Sequence, residues 1–441
     1  MTHEETKSLY YSAVRNVTEH ISDYAVSPEK DFTREKKFPA DKLIHFLVTE
    51  GSSSTKNELL DFFDMDANAP TASAFNQQRA KLRPEALEAV FRRFNSSVQP
   101  EADTSEYEFL AVDGSTFTFF SYPRFSPEEY HVSQGHSARG FYSVHVNALY
   151  DLTRRTYHDA LLQPVRDKDE FRAFCQMVDR YEFATGRKCV FIGDRGYCSY
   201  NNMAHVINKG QFFLFRTKDI HSKGLVGNFE LPDEESFDVR VKVTLARSRS
   251  EKIQPADGYK RFIDNDTAFD FVRHGTMDTY EMSFRVVRFP LSDSSYECVL
   301  TNLPEDEFPM GRIKQTYYLR WSIETSFRKL KYTIGACNFH AYKAEYVEQE
   351  LWARLIAYNV TETLITHTAL PQRKTKHVYK VNFSKAAHIC RAFLRPGTKK
   401  GSIDVAKLLG RELTPIRDER QYARLMTAHF RKPKYFTYRP S

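Results

Sequence analysis

Phe109-Leu-Ala-Val-Asp113-Gly-Ser-Thr116 is a short apolar run of strand type that ends on an acid, and Cys189-Val-Phe-Ile-Gly-Asp194-Arg-Gly-Tyr197 repeats the arrangement further along. Each run predicts a strand that delivers a carboxylate at its C-terminal end. A third acid, Glu324, lies in Tyr317-Tyr-Leu-Arg320-Trp-Ser-Ile-Glu324-Thr-Ser-Phe-Arg-Lys-Leu-Lys331, a stretch of helical periodicity. Two strand-borne carboxylates and one helix-borne carboxylate suit a pair of Mg²⁺ ions. Hard divalent cations take oxygen ligands, and two of them together activate water and stabilise the leaving oxygen of a phosphodiester.

Working outward from the two runs, the elements between and around them alternate. Phe109–Asp113, Tyr142–Leu149 and a stretch near Arg155–His158 read as a strand meander, interrupted by Gly135 and Gly140. A helix over Asp167–Phe183, the strand Cys189–Gly193, a short helix over Asn201–Asn208 and the strand Gln211–Arg216 follow. That order predicts an α/β fold with an RNase H-like catalytic core. Between Asp194 and Glu324, residues 219–305 alternate as β structure, for instance Phe237-Asp-Val-Arg-Val-Lys-Val-Thr-Leu245, and are expected to form a β-rich insertion standing apart from the central sheet. Lys242, Arg247 and Arg249 in it are either phosphate contacts or the outward charges of a half-buried sheet.

Tyr317, Arg320, Glu324 and Lys331 fall at offsets of three, four and seven, which place them on one face of a regular helix. Glu324 would then hold metal while Tyr317, Arg320 and Lys331 grip phosphates. The alternative is an amphipathic helix with ordinary pairing of Arg320 and Glu324.

Taken together, these residues resemble the DDE transposases of bacterial insertion sequences that bear the YREK signature, the insertion sequence four family. The resemblance spans roughly residues 105–365 and continues into His340-Ala-Tyr-Lys343 and Gln349-Glu-Leu-Trp-Ala-Arg354. It implies Asp113, Asp194 and Glu324 as the catalytic, metal-binding triad, with Asp113 shared between two Mg²⁺ ions and Mn²⁺ able to substitute. It also implies double-stranded DNA as partner, a homodimer on two transposon ends, and cut-and-paste transposition. Relatives that stack a flipped base on a Trp in the insertion differ from this chain, whose two Trp residues, Trp321 and Trp352, lie outside it. Two rival readings are an RNase H-like nuclease without strand transfer and a domesticated, non-catalytic DNA-binding protein.

The remaining regions carry weaker signals. Residues 1–104 read as a helical N-terminal region, a candidate for DNA-end binding, opening with a weakly structured arm over 1–37. Asp41–Leu47 is a helical stripe, Thr55-Lys-Asn-Glu58 a capping box, and a polar helix after Pro70 is expected to expose Gln77 and Arg79 as DNA contacts. Residues 105–218 and 306–370 form the two parts of the core, and Trp352 reads as buried. His340, Lys343 and Arg354 either line the cleft or are satisfied groups elsewhere. The chain of 441 residues carries a net charge of +7, which conceals a basic C-terminal region over 371–441 with 18 Lys and Arg against four acids, Asp404, Glu412, Asp418 and Glu419. Basic residues interleaved with aromatics suit phosphate contact. No apolar run reaches the roughly 20 residues of a membrane span. The six cysteines form no CxxC pair, so reduced thiols and a cytoplasmic, nucleoid-associated protein are expected.

Overall fold

In place of the expected arm, the chain opens with helix α1 (His3–Glu19). Thr2 and Glu5 close a capping box over its first turn, and Tyr10, Ala13, Val14 and Val17 form a buried stripe at helical spacing. Helices α2 (Ala40–Thr49), α3 (Thr55–Phe62), α4 (Ala72–Arg79) and α5 (Glu85–Ser97) follow. The cap of α3 is Ser54, one residue before the expected Thr55. Ser54 accepts from the Asn57 N–H, while Glu58 turns back to accept from the Ser53 N–H. This computed structural model describes residues 1–34, 37–98, 106–134, 137–182, 187–222, 224–227, 229–255, 257–292, 295–369, 378–397 and 403–416.

Strands β1 (Tyr107–Phe119), β2 (His131–Gln134), β3 (Ser137–Asp151) and β4 (Thr156–Pro164) are joined antiparallel through β3. Helix α6 (Glu170–Asp179) then leads to β5 (Lys188–Gly193), and α7 (Tyr200–Asn208) to β6 (Phe212–Thr217). β5 runs parallel to β1, and β6 parallel to β5. Strands β7 (Phe237–Ala246), β8 (Tyr259–Phe262), β9 (Thr279–Ser292) and β10 (Ser295–Thr301) complete a single mixed sheet, in the order β2-β3-β1-β5-β6-β10-β9-β7-β8 with β4 on β3.

That order corrects the expectation of an insertion set apart from the central sheet. β10 pairs antiparallel with β6, Cys298 opposite Thr217 and Thr301 opposite Leu214, so the inserted strands extend the sheet. Without β10, β6 would present an unpaired row of N–H and C=O groups. Arg247 is likewise no outward charge. Its buried guanidinium donates to the carbonyls of Asp264, Thr267, Phe269 and Val272 and fixes the loop beyond β8.

Strand alternation sends Leu110, Val112, Phe191, Phe213 and Phe215 to one face, beneath α6 and α7, where they meet Phe174, Met177, Val178, Met203 and Val206. Ala111, Val190, Ile192 and Leu214 point to the other face. Helices α8 (Met310–Tyr318), α9 (Trp321–Lys329) and α10 (Ala344–Thr366) cover that face together with the N-terminal helices. α10 is buried along almost its whole length, and Trp352 packs 5.4 Å from the ring of Phe91. The ribbon of β11 (Tyr379–Val381) and β12 (Leu413–Pro415) flanks α11 (Phe383–Leu394) and α12 (Val405–Arg411), and α11 seals the far side of α10. Residues 371–377, 398–402 and 417–441 of the basic C-terminal region lie outside the described residues. No described helix is long and apolar enough to cross a membrane.

A buried ionic network ties α2 and α4 to α10. Arg79, expected as a DNA contact, is 1% exposed and ion-paired to Glu350 at 2.9 Å, with Gln349 Oε1 2.7 Å from its Nε. The reason is helical phase: Arg79 lies four residues after the buried Phe75, on the same inward stripe of α4. Gln77 is exposed. Arg354 pairs with Glu50 at 3.2 Å, and His340 sits between Glu50 and Glu350 with its Nε2 3.0 Å from the Ser53 carbonyl. Burial opposes the charge on His340, but the two carboxylates override it and raise its pKa to about 9. His340 and Arg354 therefore belong to this internal network.

Removing one member of a fully buried pair leaves the other charge uncompensated, at a cost of about 3–5 kcal/mol. Arg79→Ala is expected to lower unfolding stability by that amount in urea titrations, whereas Gln77→Ala changes it by less than about 0.5 kcal/mol. Equal, small effects of both substitutions would show that Arg79 is not the structural residue described.

Candidate active site

Ala111 of β1 pairs with Ile192 of β5 across two parallel strands, and Asp113 and Asp194 each lie two residues further on. Neighbouring strands run about 4.8 Å apart, so the two acids leave the sheet side by side at the same height. Side-chain alternation puts Asp113 on the face of Ala111. The backbone of Asp194 remains extended, which keeps it on the face of Ile192. Both therefore point to the side covered by α8, α9 and α10. Asp113 does not end its strand as expected. β1 runs on to Phe119, paired there with β3 alone, and Asp113 emerges where the pairing with β5 stops.

Local hydrogen bonds hold both carboxylates. The Gly114 N–H donates to Asp113 Oδ1 at 2.8 Å. Asp194 caps the short 3₁₀ turn Arg195–Tyr197, where the Gly196 N–H donates to its Oδ1 at 2.8 Å. Burial pushes the Asp113 carboxyl up to about 7, and the charges of Asp194 and Glu324 push the same way against the Gly114 N–H and Arg320. Asp113 is thus first of all a buried carboxyl, with Asp194 and Glu324 as secondary influences.

Glu324 comes from α9, but the signature residues do not share one regular helix. α8 ends at Tyr318 and α9 begins at Trp321, with a tightened turn at Leu319 and Arg320 whose N–H groups bond three residues back. After Lys329 the helix widens into a π turn over Leu330–Ile334, which ends at Gly335 with φ 95°. Tyr317 is 1% exposed within the core formed by Ile192, Leu214, Val299 and Phe308. Arg320 is 3% exposed, with Nη2 3.0 Å from Glu324 Oε1. These placements correct the picture of Tyr317 and Arg320 as surface groups gripping phosphate, and the ordinary Arg320–Glu324 pairing is formed. Lys331 is half-buried, its Nζ 4.9 Å from the centre of the Phe117 ring on β1.

The three carboxylates offer oxygen donors only, which fits a hard divalent cation, and such a cation would relieve the burial and, after it, the like charge that raise Asp113. Their ligand atoms are spread rather than gathered. Among the described residues, the one set of three such atoms lying mutually within 4.8 Å is Glu50, His340 and Glu350. That set is already neutralised by Arg79 and Arg354 and by the charge that His340 holds, so it does not need a metal. The signal for Arg79 as a structural residue was present in the sequence as its spacing from Phe75. The burial of Tyr317 had no comparable local signal, because it depends on where α8 meets β6 and β10.

Comparison with known proteins meets this geometry. Within the chain, 55 residues are 42% identical to the transposase InsG of insertion sequence element IS4 from Escherichia coli K12, covering 12% of each protein. A stretch of 75 residues is 31% identical to the transposase of insertion sequence element IS421 from E. coli, covering 17% of this chain and 20% of that one. The matched stretches thus span no more than a fifth of these relatives' length. The piggyBac transposase in a synaptic complex with hairpin DNA aligns over 97% of this chain and 88% of that one, at 8% identity and a TM-score of 0.44. Residues 104–360, more than half of the chain and the part that carries Asp113, Asp194 and Glu324, match the transposase DDE domain, and the protein belongs to that family.

Proposed function

We propose that the protein is a DNA transposase that cleaves the ends of an insertion sequence and transfers the freed strand into target DNA, with Asp113, Asp194 and Glu324 as its metal-binding triad. One observation carries the reading: the Ala111–Ile192 register sets two carboxylates side by side on the sheet face where the field of Glu324 also reaches Asp113. The order of elements supports an RNase H-like core, with antiparallel β1, β3 and β4 followed by α6, β5, α7 and β6, interrupted between β6 and α8.

Two Mg²⁺ ions held by the triad would supply Lewis acidity and a water of lowered pKa. The remaining chemistry belongs to the chain. Asp113, buried beside Asp194, would hold the ions as a carboxylate. Arg320 is a positioning residue, since its guanidinium fixes the rotamer of Glu324 and balances its charge in a buried setting. Lys331, in the π turn, holds its ammonium beside the Phe117 ring of β1, and we assign it a backbone phosphate of the DNA end. Gln77 on the exposed face of α4 and the basic C-terminal region are further contacts to double-stranded DNA in this reading, and two copies on two ends form the working assembly.

Asp113→Asn, Asp194→Asn and Glu324→Gln should each reduce cleavage of an end-bearing DNA by ~10³-fold or more while end binding in a gel-shift assay changes little. A precleaved end with a free 3′-hydroxyl should be joined to a target plasmid by the wild-type protein. Cleavage without any joining would identify a nuclease, and neither activity would identify a DNA-binding protein.

The burial of Asp113 also predicts a pH dependence in the metal-free protein. Its folded-state pKa is pushed from the ordinary 3.8 up to about 7, so the folded chain holds this proton more tightly than the unfolded chain does. Stability therefore falls as pH rises from about 4 to about 7. Asp113→Asn should accordingly raise the thermal unfolding midpoint in EDTA at pH 8, by a margin that shrinks at pH 5. An equal effect at both pH values would contradict the raised proton affinity.

Lys331→Ala should weaken end binding similarly for all DNA sequences and reduce the slope of log affinity against log salt by about 0.9. An unchanged slope would remove Lys331 from the phosphate contacts.

A further inference from the structure

The row of paired residues that sets the two aspartates continues across the sheet. Ile192 of β5 pairs with Ala111 of β1, Ala111 with Tyr150 of β3, and Tyr150 with Tyr157 of β4. Residues paired across a sheet project to the same face, so both tyrosines point to the side that α9 and α10 cover, where both are buried.

Tyr157 is the most firmly held member of the row. Its backbone N–H donates to Asn359 Oδ1 of α10 at 2.8 Å. Its carbonyl accepts from Asn359 Nδ2 at 2.7 Å and from Asn95 Nδ2 of α5 at 2.9 Å. The ring packs 4.9 Å from that of Tyr358 and 5.7 Å from that of Phe327. From this fixed post the hydroxyl meets Ser326 Oγ of α9 at 2.9 Å. Two residues along an α-helix are a rotation of about 200°, so Ser326 lies on the side of α9 turned away from Glu324.

A second contact holds the same side of the helix. Lys329, three residues after Ser326, has its Nζ 2.6 Å from Glu362 Oε1 of α10 and 4.3 Å from the centre of the Phe383 ring. Glu362 is 2% exposed and accepts from the Tyr358 hydroxyl at 3.3 Å, and that hydroxyl lies 3.1 Å from Tyr150 Oη. Both contacts therefore lead back to tyrosines of the one row. Lys329 is also the last residue before the π turn that carries Lys331, so the ion pair grips α9 where its winding changes.

We propose that Tyr157 and Glu362 are positioning residues of the cleavage reaction, which hold the rear of α9 against the row that places Asp113 and Asp194 and so fix where Glu324 stands relative to them. The proposal rests on reading the three acids as a metal centre. Strand pairing alone sets two of the carboxylates, but apolar contacts are non-directional and leave a helix free to slide or turn on a sheet. A hydrogen bond and an ion pair on its rear remove that freedom, and a misplacement of about 1 Å is enough to lower a rate about 100-fold.

Both contacts can be broken gently. Tyr157→Phe leaves Ser326 Oγ 2.7 Å from the Ile323 carbonyl oxygen, and Glu362→Gln keeps an acceptor for Tyr358 while the partly exposed Lys329 turns to solvent. Neither strands a buried charge. The test is single-turnover cleavage of an end-bearing DNA at saturating protein, in Mg²⁺ and in Mn²⁺, by full-length wild type, Tyr157→Phe, Glu362→Gln and Glu324→Gln. End affinity by gel shift and the thermal unfolding midpoint are measured alongside. Tyr157→Phe and Glu362→Gln are each expected to cleave about 10–100-fold more slowly in Mg²⁺ at unchanged end affinity. Part of that loss should return in Mn²⁺, because Mg²⁺ demands the more regular ligand set. Should a midpoint fall, the assay is repeated at a temperature where the variant is fully folded, and the loss must persist there. A wild-type rate in a folded variant overturns the role of that residue, and a loss of equal size in both ions overturns positioning for both. With Glu324→Gln inactive, either result leaves the triad standing. Wild-type cleavage by Glu324→Gln, or none by the wild-type protein, overturns the reading of the triad as a cleavage centre and this inference with it.

Discussion

The parallel pairing of β1 with β5 is the constraint on which the site depends. Parallel strands need a crossover connection, and here α6 supplies it, packing Phe174, Met177 and Val178 onto the far face of the sheet. Once that register is set, backbone hydrogen bonds fix the relative height of Asp113 and Asp194, and no side-chain flexibility can undo it.

Charge then explains the burial pattern around the carboxylates. Like charges at the end of a sheet repel, and the chain offsets part of that repulsion with the buried guanidinium of Arg320 on Glu324. Among the described residues Asp113 is bonded by the Gly114 N–H and by no cation, and burial raises its proton affinity. Glu324 is thus ion-paired within the protein, whereas Asp113 is held by a backbone N–H.

Much of this was legible in the sequence because it depends on local pattern. The apolar runs before Asp113 and Asp194, the helices on either side of β5 and the buried Trp352 follow from period-2 and period-3.6 spacing, which survive in any tertiary context. What was not legible depends on partners distant in the chain. Arg79 looks like a surface residue of a polar helix until Glu350 arrives from α10, and Tyr317 looks like a signature hydroxyl until the inserted strands close over it. The helix α1 could have been read from Thr2, Glu5 and the Tyr10–Val17 stripe, but its charged exposed face masks that stripe. For the inserted strands, alternation identified β structure correctly, yet alternation is silent on which edge a strand joins.

The attachment of β10 to β6 has a consequence during synthesis. The chain reaches Thr217 well before Cys298, and at ~5–20 residues per second the outer edge of β6 waits several seconds for its partner to leave the ribosome. The opposite face of the sheet waits longer, since α10 comes later still. Throughout that interval the nascent protein displays an open strand edge beside an uncovered apolar face, the combination most prone to pairing with another chain. Translation pace and chaperone capture between residues 217 and 366 therefore bear directly on how much of this protein reaches its folded form.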